Sequence, residues 1–116
     1  MVLALPVTAE SSNIIDADAF SAMKKEAFLI NLSRGGLVDH NALKKALAGG
    51  EIAGAGLDVF WEEPPDPNDP IFKYNVMATP HIAGSTDVSM RGIVKVVAEN
   101  IRNVATGRLP QYLKTG

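Results

Sequence analysis

At 116 residues the chain has room for one small domain at most. Its 47% hydrophobic and 21% charged residues suit a folded protein rather than a disordered one, and a net charge of −2 offers nothing to hold nucleic acid or an anionic membrane. Without cysteine it can build neither a disulfide framework nor a thiolate metal site, which makes a reducing cytoplasm the expected compartment.

The opening MVLALPV is too short for a membrane span, lacks a basic flank and breaks at Pro6. Residues 1–5 are uniformly apolar, as in a parallel strand covered on both faces. Pro6 and the polar run to Ser12 form a loop. Asp16 is placed to N-cap a short helix reaching about Lys24, with Phe20 and Met23 facing inward at i, i+3 spacing. Residues 27–32 form a second apolar strand that runs into Arg34. Asp39 reads as the N-cap of a second helix, with Leu43, Ala46 and Leu47 on one face and Gly49 and Gly50 at its end. Residues 52–59 form a third strand, with Gly54 and Gly56 where neighbouring backbone packs closely. A proline-rich loop follows over 62–70, then a fourth short strand over 75–79. Thr86 begins a long helix carrying Met90, Ile93, Val97, Ile101 and Val104 at helical spacing, which reads as a packing stripe. Gly107 and Pro110 stop it, and Arg102 and Arg108 suit the negative end of its dipole.

Strands alternating with helices imply an α/β architecture with a mainly parallel sheet, and such sheets bind ligands beyond the carboxyl ends of their strands. Arg34, Asp58 and His81 each fall at or just past the end of a separate expected strand. An arginine fixed there can grip a carboxylate with two parallel hydrogen bonds. Gly35 and Gly36 beside it can take positive φ and let a ligand approach the backbone. His81 suits proton transfer near neutral pH, and a neighbouring carboxylate would orient its ring and favour the protonated form.

Each residue also has a plainer use. Arg34 suits a surface turn, Asp58 a turn or helix cap, and Glu62 with Glu63 a solvated acidic pair. His81 can cap the long helix, His40 can sit on a helix surface, and Trp61 can pack in the core. The functional reading prevails because three modest signals coincide in order and spacing.

Those signals, NLSRGGLVD from Asn31, DVFWEEP from Asp58 and TPHIAG from Thr79, together resemble the D-isomer-specific 2-hydroxyacid dehydrogenases, over nearly the whole chain. The resemblance implies that Arg34 anchors the substrate carboxylate, His81 is the acid/base and Glu63, before Pro64, supports the imidazole. Cofactor contacts would fall on Leu32, Ser33 and Arg34 on the nicotinamide side, on Asp58 at the carboxamide, on His81, Ala83 and Gly84, and on Leu5 and Pro6 near the adenosine half. The cofactor would be NAD, with NADP open as well, and the substrate a small 2-hydroxy or 2-keto acid.

The sequence contains no G-x-G-x-x-G, the loop that receives a pyrophosphate. By resemblance, residues 1–116 are therefore expected to be part of an NAD(P)-binding domain, the C-terminal half of a Rossmann-like doubly wound parallel sheet starting at its fourth strand. The strand over 1–5 would then be a bare edge, inviting self-association or pairing with the missing half. The expected activity is interconversion of a D-2-hydroxy acid and its 2-keto acid by hydride transfer. A corepressor-like NADH-sensing binding module and an inactive half-domain are the alternatives.

Overall fold

The computed structural model describes residues 1–113. Four strands, β1 (Val2–Leu3), β2 (Phe28–Asn31), β3 (Gly54–Leu57) and β4 (Val76–Ala78), form one parallel sheet in the order β1-β2-β3-β4. The helices are α1 (Ala17–Ser21), α2 (His40–Gly49) and α3 (Asp87–Ala105), with 3₁₀ turns at Gly35–Leu37 and Pro70–Lys73. The expected α/β, Rossmann-like parallel sheet is what the chain forms. Two compact units divide it, Met1–Ala83 and Gly84–Gly116.

Local chemistry sets most boundaries. Asp16 accepts from the Ala19 N–H at 2.9 Å and Asp39 from the Ala42 N–H at 2.8 Å, each satisfying a donor that the first helical turn leaves unpaired. Each such cap stabilises by about 1 kcal/mol. α2 ends at Gly50, whose φ of 65° is the left-handed conformation that glycine adopts without a Cβ clash. α1 is shorter than its pattern suggests. The chain already turns at Ala22, and Ala27 N–H closes a further turn onto the Lys24 carbonyl to enter β2. β1 stops two residues early because the Leu5 carbonyl is taken by the Ser33 hydroxyl, at 2.6 Å, and Pro6 has no N–H to offer a ladder.

Strand register decides what is covered. Leu3, Asn31, Leu57 and Ala78 stand side by side on one face of the sheet, and Leu29, Ala55 and Val76 extend it. Leu3, Leu29, Ala55 and Leu57 join Phe20 of α1, Leu43, Ala46 and Leu47 of α2, and Ile71 in one buried cluster. The other face carries Val2, Phe28, Ile30 and Met77; Val2 is 65%, Phe28 50% and Met77 76% exposed. The expectation that the first strand is covered on both faces is thus corrected. β1 is a sheet edge with one buried face, because sequential right-handed crossovers deliver α1 and α2 to the same side.

In the second unit α3 begins with a reciprocal capping box. Thr86 Oγ1 accepts from the Ser89 N–H and Ser89 Oγ from the Thr86 N–H, both at 3.1 Å. Gly107, at φ 71°, ends the helix as its sequence suggests. The stripe read as packing finds no cover within its own unit: no residue of α3 is buried there, and Ile93, Val97, Ile101 and Val104 are all more than half exposed. Among the described residues no helix is long and apolar enough to cross a membrane, and no group of three His, Cys, Asp or Glu side chains is placed to hold a metal.

Candidate active site

Parallel pairing brings the carboxyl ends of all four strands to one edge, and the segments leaving them carry the residues singled out by sequence. Leu5 and Pro6 follow β1, Leu32 to Arg34 follow β2, Asp58 follows β3, and His81 lies three residues past β4.

The turn after β2 is shaped by Asn31, a residue to which the sequence reading assigned no role. Its buried side chain accepts from the Ser33 N–H at 3.1 Å and donates to the Arg34 carbonyl at 2.9 Å, closing the chain on itself. Ser33 Oγ then ties this turn to the end of β1 through Leu5. The result presents the Arg34 side chain to solvent, with Nη1 on the Ser33 carbonyl at 2.7 Å and the rest of the fork free for an anion.

Gly35 and Gly36 do not take positive φ; among the described glycines only Gly50 and Gly107 do. Gly35 is required for another reason. A Cβ there would stand 2.1 Å from the Phe60 carbonyl oxygen, so the Arg34 segment lies directly against the backbone leading to Glu63. The close approach is made by the chain itself.

Asp58 is almost fully buried, and its carboxylate organises the turn that carries His81. Oδ1 accepts from the Thr79 hydroxyl at 2.6 Å and the Ile82 N–H at 2.9 Å, and Oδ2 from the Ala83 N–H at 2.8 Å. These bonds hold the ionised form, so its pKa lies below the usual aspartate value, chiefly through Thr79 and against the opposing effect of burial. Between the two anchored ends His81 adopts a left-handed φ of 54°, uncommon for a residue with a Cβ. Such strain costs about 1–3 kcal/mol and persists where neighbours over-determine the backbone, as the Asp58 bonds do here.

His81 Nδ1 lies 2.8 Å from Glu63 Oε2, while Glu63 Oε1 accepts from the Phe60 N–H at 3.0 Å. Both contacts depress the Glu63 pKa, that to His81 most, and the positive field of Arg34 acts in the same direction. Glu63 is therefore a carboxylate fixed by its loop and aimed at the imidazole, as a group that orients an acid/base histidine must be. Glu62 borders a separate hollow with His40 and Trp61. The pair itself borders a small hollow of about 150 Å³ walled mainly by Phe60, Pro64, Pro65 and Pro80. His40 sits at the start of α2 with its side chain 36% exposed, as expected of a surface histidine on a helix, and Asp69 Oδ2 lies 2.7 Å from its Nε2. The plain role of His81 as a helix cap also fails, because Thr86 caps α3.

The same edge also presents apolar surface and a spare acceptor. Leu32 is half exposed, Pro6 is exposed, and Asp58 uses three of the four acceptor positions of a carboxylate, leaving one.

Asp58 also gives the unit Met1–Ala83 a pH signature. A carboxylate whose folded pKa is depressed stabilises fully above its unfolded value, about 4, and that stability is lost as pH falls through the folded value. Glu63 acts in the same direction. Asp58→Asn puts an amide donor opposite one of three donors, so it lowers stability at pH 7 and flattens the fall in urea midpoint between about pH 6 and pH 3. Equal pH slopes in the two proteins would remove Asp58 from this role.

Comparison with known proteins adds the following. A family model described as D-isomer specific 2-hydroxyacid dehydrogenase, NAD binding domain, matches residues 1–83. The match ends where the first compact unit ends. A glyoxylate reductase from Pyrococcus horikoshii is 46% identical over 114 residues, covering 97% of this chain and 34% of that protein. Among solved structures, the NAD-complexed form of a D-isomer specific 2-hydroxyacid dehydrogenase from Lactobacillus delbrueckii ssp. bulgaricus superposes with a TM-score of 0.87 at 36% identity, covering 97% of this chain and 39% of that one. An NADPH-dependent glyoxylate/hydroxypyruvate reductase from Sinorhizobium meliloti, in complex with NADP and malonate, gives 0.78 at 38% identity, with 87% and 32% covered. The chain spans about a third of the length of the curated glyoxylate reductases from Pyrococcus horikoshii and Thermofilum pendens that it matches.

Proposed function

The chain belongs to the D-isomer specific 2-hydroxyacid dehydrogenases through their NAD binding domain, and on that footing we propose that it supplies the proton-transfer and carboxylate-binding side chains of an NAD(P)-dependent oxidoreductase acting on a small D-2-hydroxy acid and its 2-keto acid. Residues 1–116 are read as the C-terminal part of the nucleotide-binding domain. The observation that carries this is the Glu63–His81 pair, 2.8 Å apart at the carboxyl edge of the sheet.

A nicotinamide held at this edge would supply the hydride chemistry that interconverts the keto acid and the alcohol. Arg34 binds the substrate carboxylate through its free nitrogens and turns the carbonyl toward His81. His81 gives a proton to the carbonyl oxygen as it gains charge, and takes it back in the oxidative direction. Glu63 carries no proton in this scheme; it holds the ring and offsets the imidazolium charge. Asp58 keeps the His81 turn in place and offers its remaining acceptor position to the carboxamide. Leu5, Pro6, Leu32, Ser33 and Ala83 would border the cofactor, NAD or NADP. A cytoplasmic location fits this chemistry and the cysteine-free sequence.

The test is oxidation of NADH or NADPH by the purified full-length gene product with glyoxylate, hydroxypyruvate and pyruvate in turn. Turnover with at least one is expected; none with any, by a folded protein, would refute the reading.

β1 is also read as a pairing edge. The Met1 carbonyl accepts from the Ile30 N–H at 2.8 Å, so strand geometry turns the N–H and C=O of Val2 to the open side. Beside that edge lies the exposed apolar face of Val2, Phe28 and Met77. Residues 1–116 alone are expected to self-associate, or to pair with further sequence where the gene encodes it. A folded monomer of the 116-residue piece in sedimentation at high concentration would contradict this.

A further inference from the structure

The flank of the Glu63 loop turned away from His81 carries contacts that the reaction does not use. Trp61 Nε1 donates to the Val38 carbonyl across 2.6 Å. His40, the first residue of α2, lies against the indole with ring centroids 4.3 Å apart and planes tilted by 39°. Its Nε2 is closed off from solvent and makes no hydrogen bond with the described residues, although Asp69 Oδ2 lies 2.7 Å away. Asp69 Oδ1 in turn accepts from the N–H of Ile71, a fully buried residue. The two ends of the proline-rich loop thereby meet one short segment, Val38 to His40, which leaves the turn that bears Arg34: Trp61 by a hydrogen bond and Asp69 by its close approach to His40.

Such a loop needs side-chain anchors. Pro64, Pro65 and Pro67 have no N–H, and the loop is not part of the sheet ladder. Within its first half, Phe60 N–H bonds Glu63 itself, so that contact shapes the turn without tying it to the fold. A catalytic pair held at 2.8 Å is sensitive to small shifts of its support, since a misplacement of about 1 Å can cost about 100-fold in rate.

We propose that His40, Trp61 and Asp69 are positioning residues, a clamp that fixes the Glu63 loop against the Arg34 segment and so holds the Glu63 carboxylate at His81. The proposal rests on reading Glu63 and His81 as the reactive pair. It assigns no chemistry to the clamp; its action passes through Glu63.

The test uses Trp61→Phe, which keeps a ring but removes the donor, and His40→Gln as a second, independent break. In the full-length gene product each lowers kcat about 10-fold with KM little changed, and neither lowers kcat further once Glu63→Gln is present, the coupling expected of residues acting through Glu63. Equal losses in both backgrounds, or unchanged kcat in both variants, would overturn the clamp. A readout independent of turnover separates this from failure of the enzymatic reading. In ¹⁵N-histidine NMR, with His81 assigned by its loss in His81→Asn, the Nδ1 resonance moves in Trp61→Phe toward its Glu63→Gln position. An unmoved resonance refutes the clamp even if no 2-keto acid is reduced, and a moved one supports it in the same circumstance.

Discussion

Replacing His81 by asparagine is expected to lower kcat for 2-keto acid reduction by the full-length gene product about 10²- to 10⁴-fold, the range set by loss of one positioned general acid. Asparagine is the informative choice because it tolerates the left-handed φ of 54° at this position, so the turn held by Asp58 survives. Its amide cannot deliver a proton, and the alkoxide must then take one from water. Binding of the reduced cofactor, followed by fluorescence titration, is expected to change little. Loss of cofactor affinity together with rate would point to collapse of the turn rather than loss of the acid. A kcat within threefold of wild type would remove His81 from the reaction and leave the Glu63–His81 pair a structural contact.

Replacing Gly35 by alanine is expected to destabilise the fold by about 3 kcal/mol or more, at or beyond the upper end of ordinary overpacking. The added Cβ meets the Phe60 carbonyl at 2.1 Å from oxygen and 2.2 Å from carbon, and the Trp61 nitrogen at 2.6 Å. These are main-chain atoms of the segment that follows β3, where Val59 and Phe60 are buried, so no side chain can swing aside. Gly36 is the control. A Cβ there comes no nearer than 3.7 Å to Val7, an ordinary contact, and Gly36→Ala should stay within about 0.5 kcal/mol. Urea midpoints of the two variants check this, and insolubility of Gly35→Ala alone would count as the same result. Equal midpoints would mean that the Arg34 and Glu63 segments do not touch in solution. Because the same contact sets the spacing of Arg34 from the Glu63 loop, a milder loss at Gly35 should also show as reduced kcat.

What the sequence determined by itself was whatever depends on near neighbours along the chain. Asp16, Asp39 and Thr86 are helix caps because each side chain answers an N–H three residues away. The four strands were legible as apolar runs, and parallel order followed from their alternation with helices. That order alone places Arg34, Asp58 and His81 at one edge, which is why the motif-bearing residues could be found without coordinates. The tertiary structure decided the rest. Glu62 and Glu63 are indistinguishable by composition, and only the path of the loop aims Glu63 at an imidazole 18 residues away. Gly35 was read as a residue that could take positive φ and let a ligand approach the backbone; its constraint comes from a carbonyl 25 residues on that packs against it. Asp58 was legible as a strand-end acid, yet its hold on the His81 turn depends on β3 and β4 lying side by side. Likewise the apolar stripe of α3 has a helical period whether or not anything covers it, and exposure is a property of the surroundings that periodicity does not contain. Contacts within about four residues are fixed by backbone geometry, whereas those that build this site join segments 18 to 28 residues apart and exist only once the sheet has brought them together.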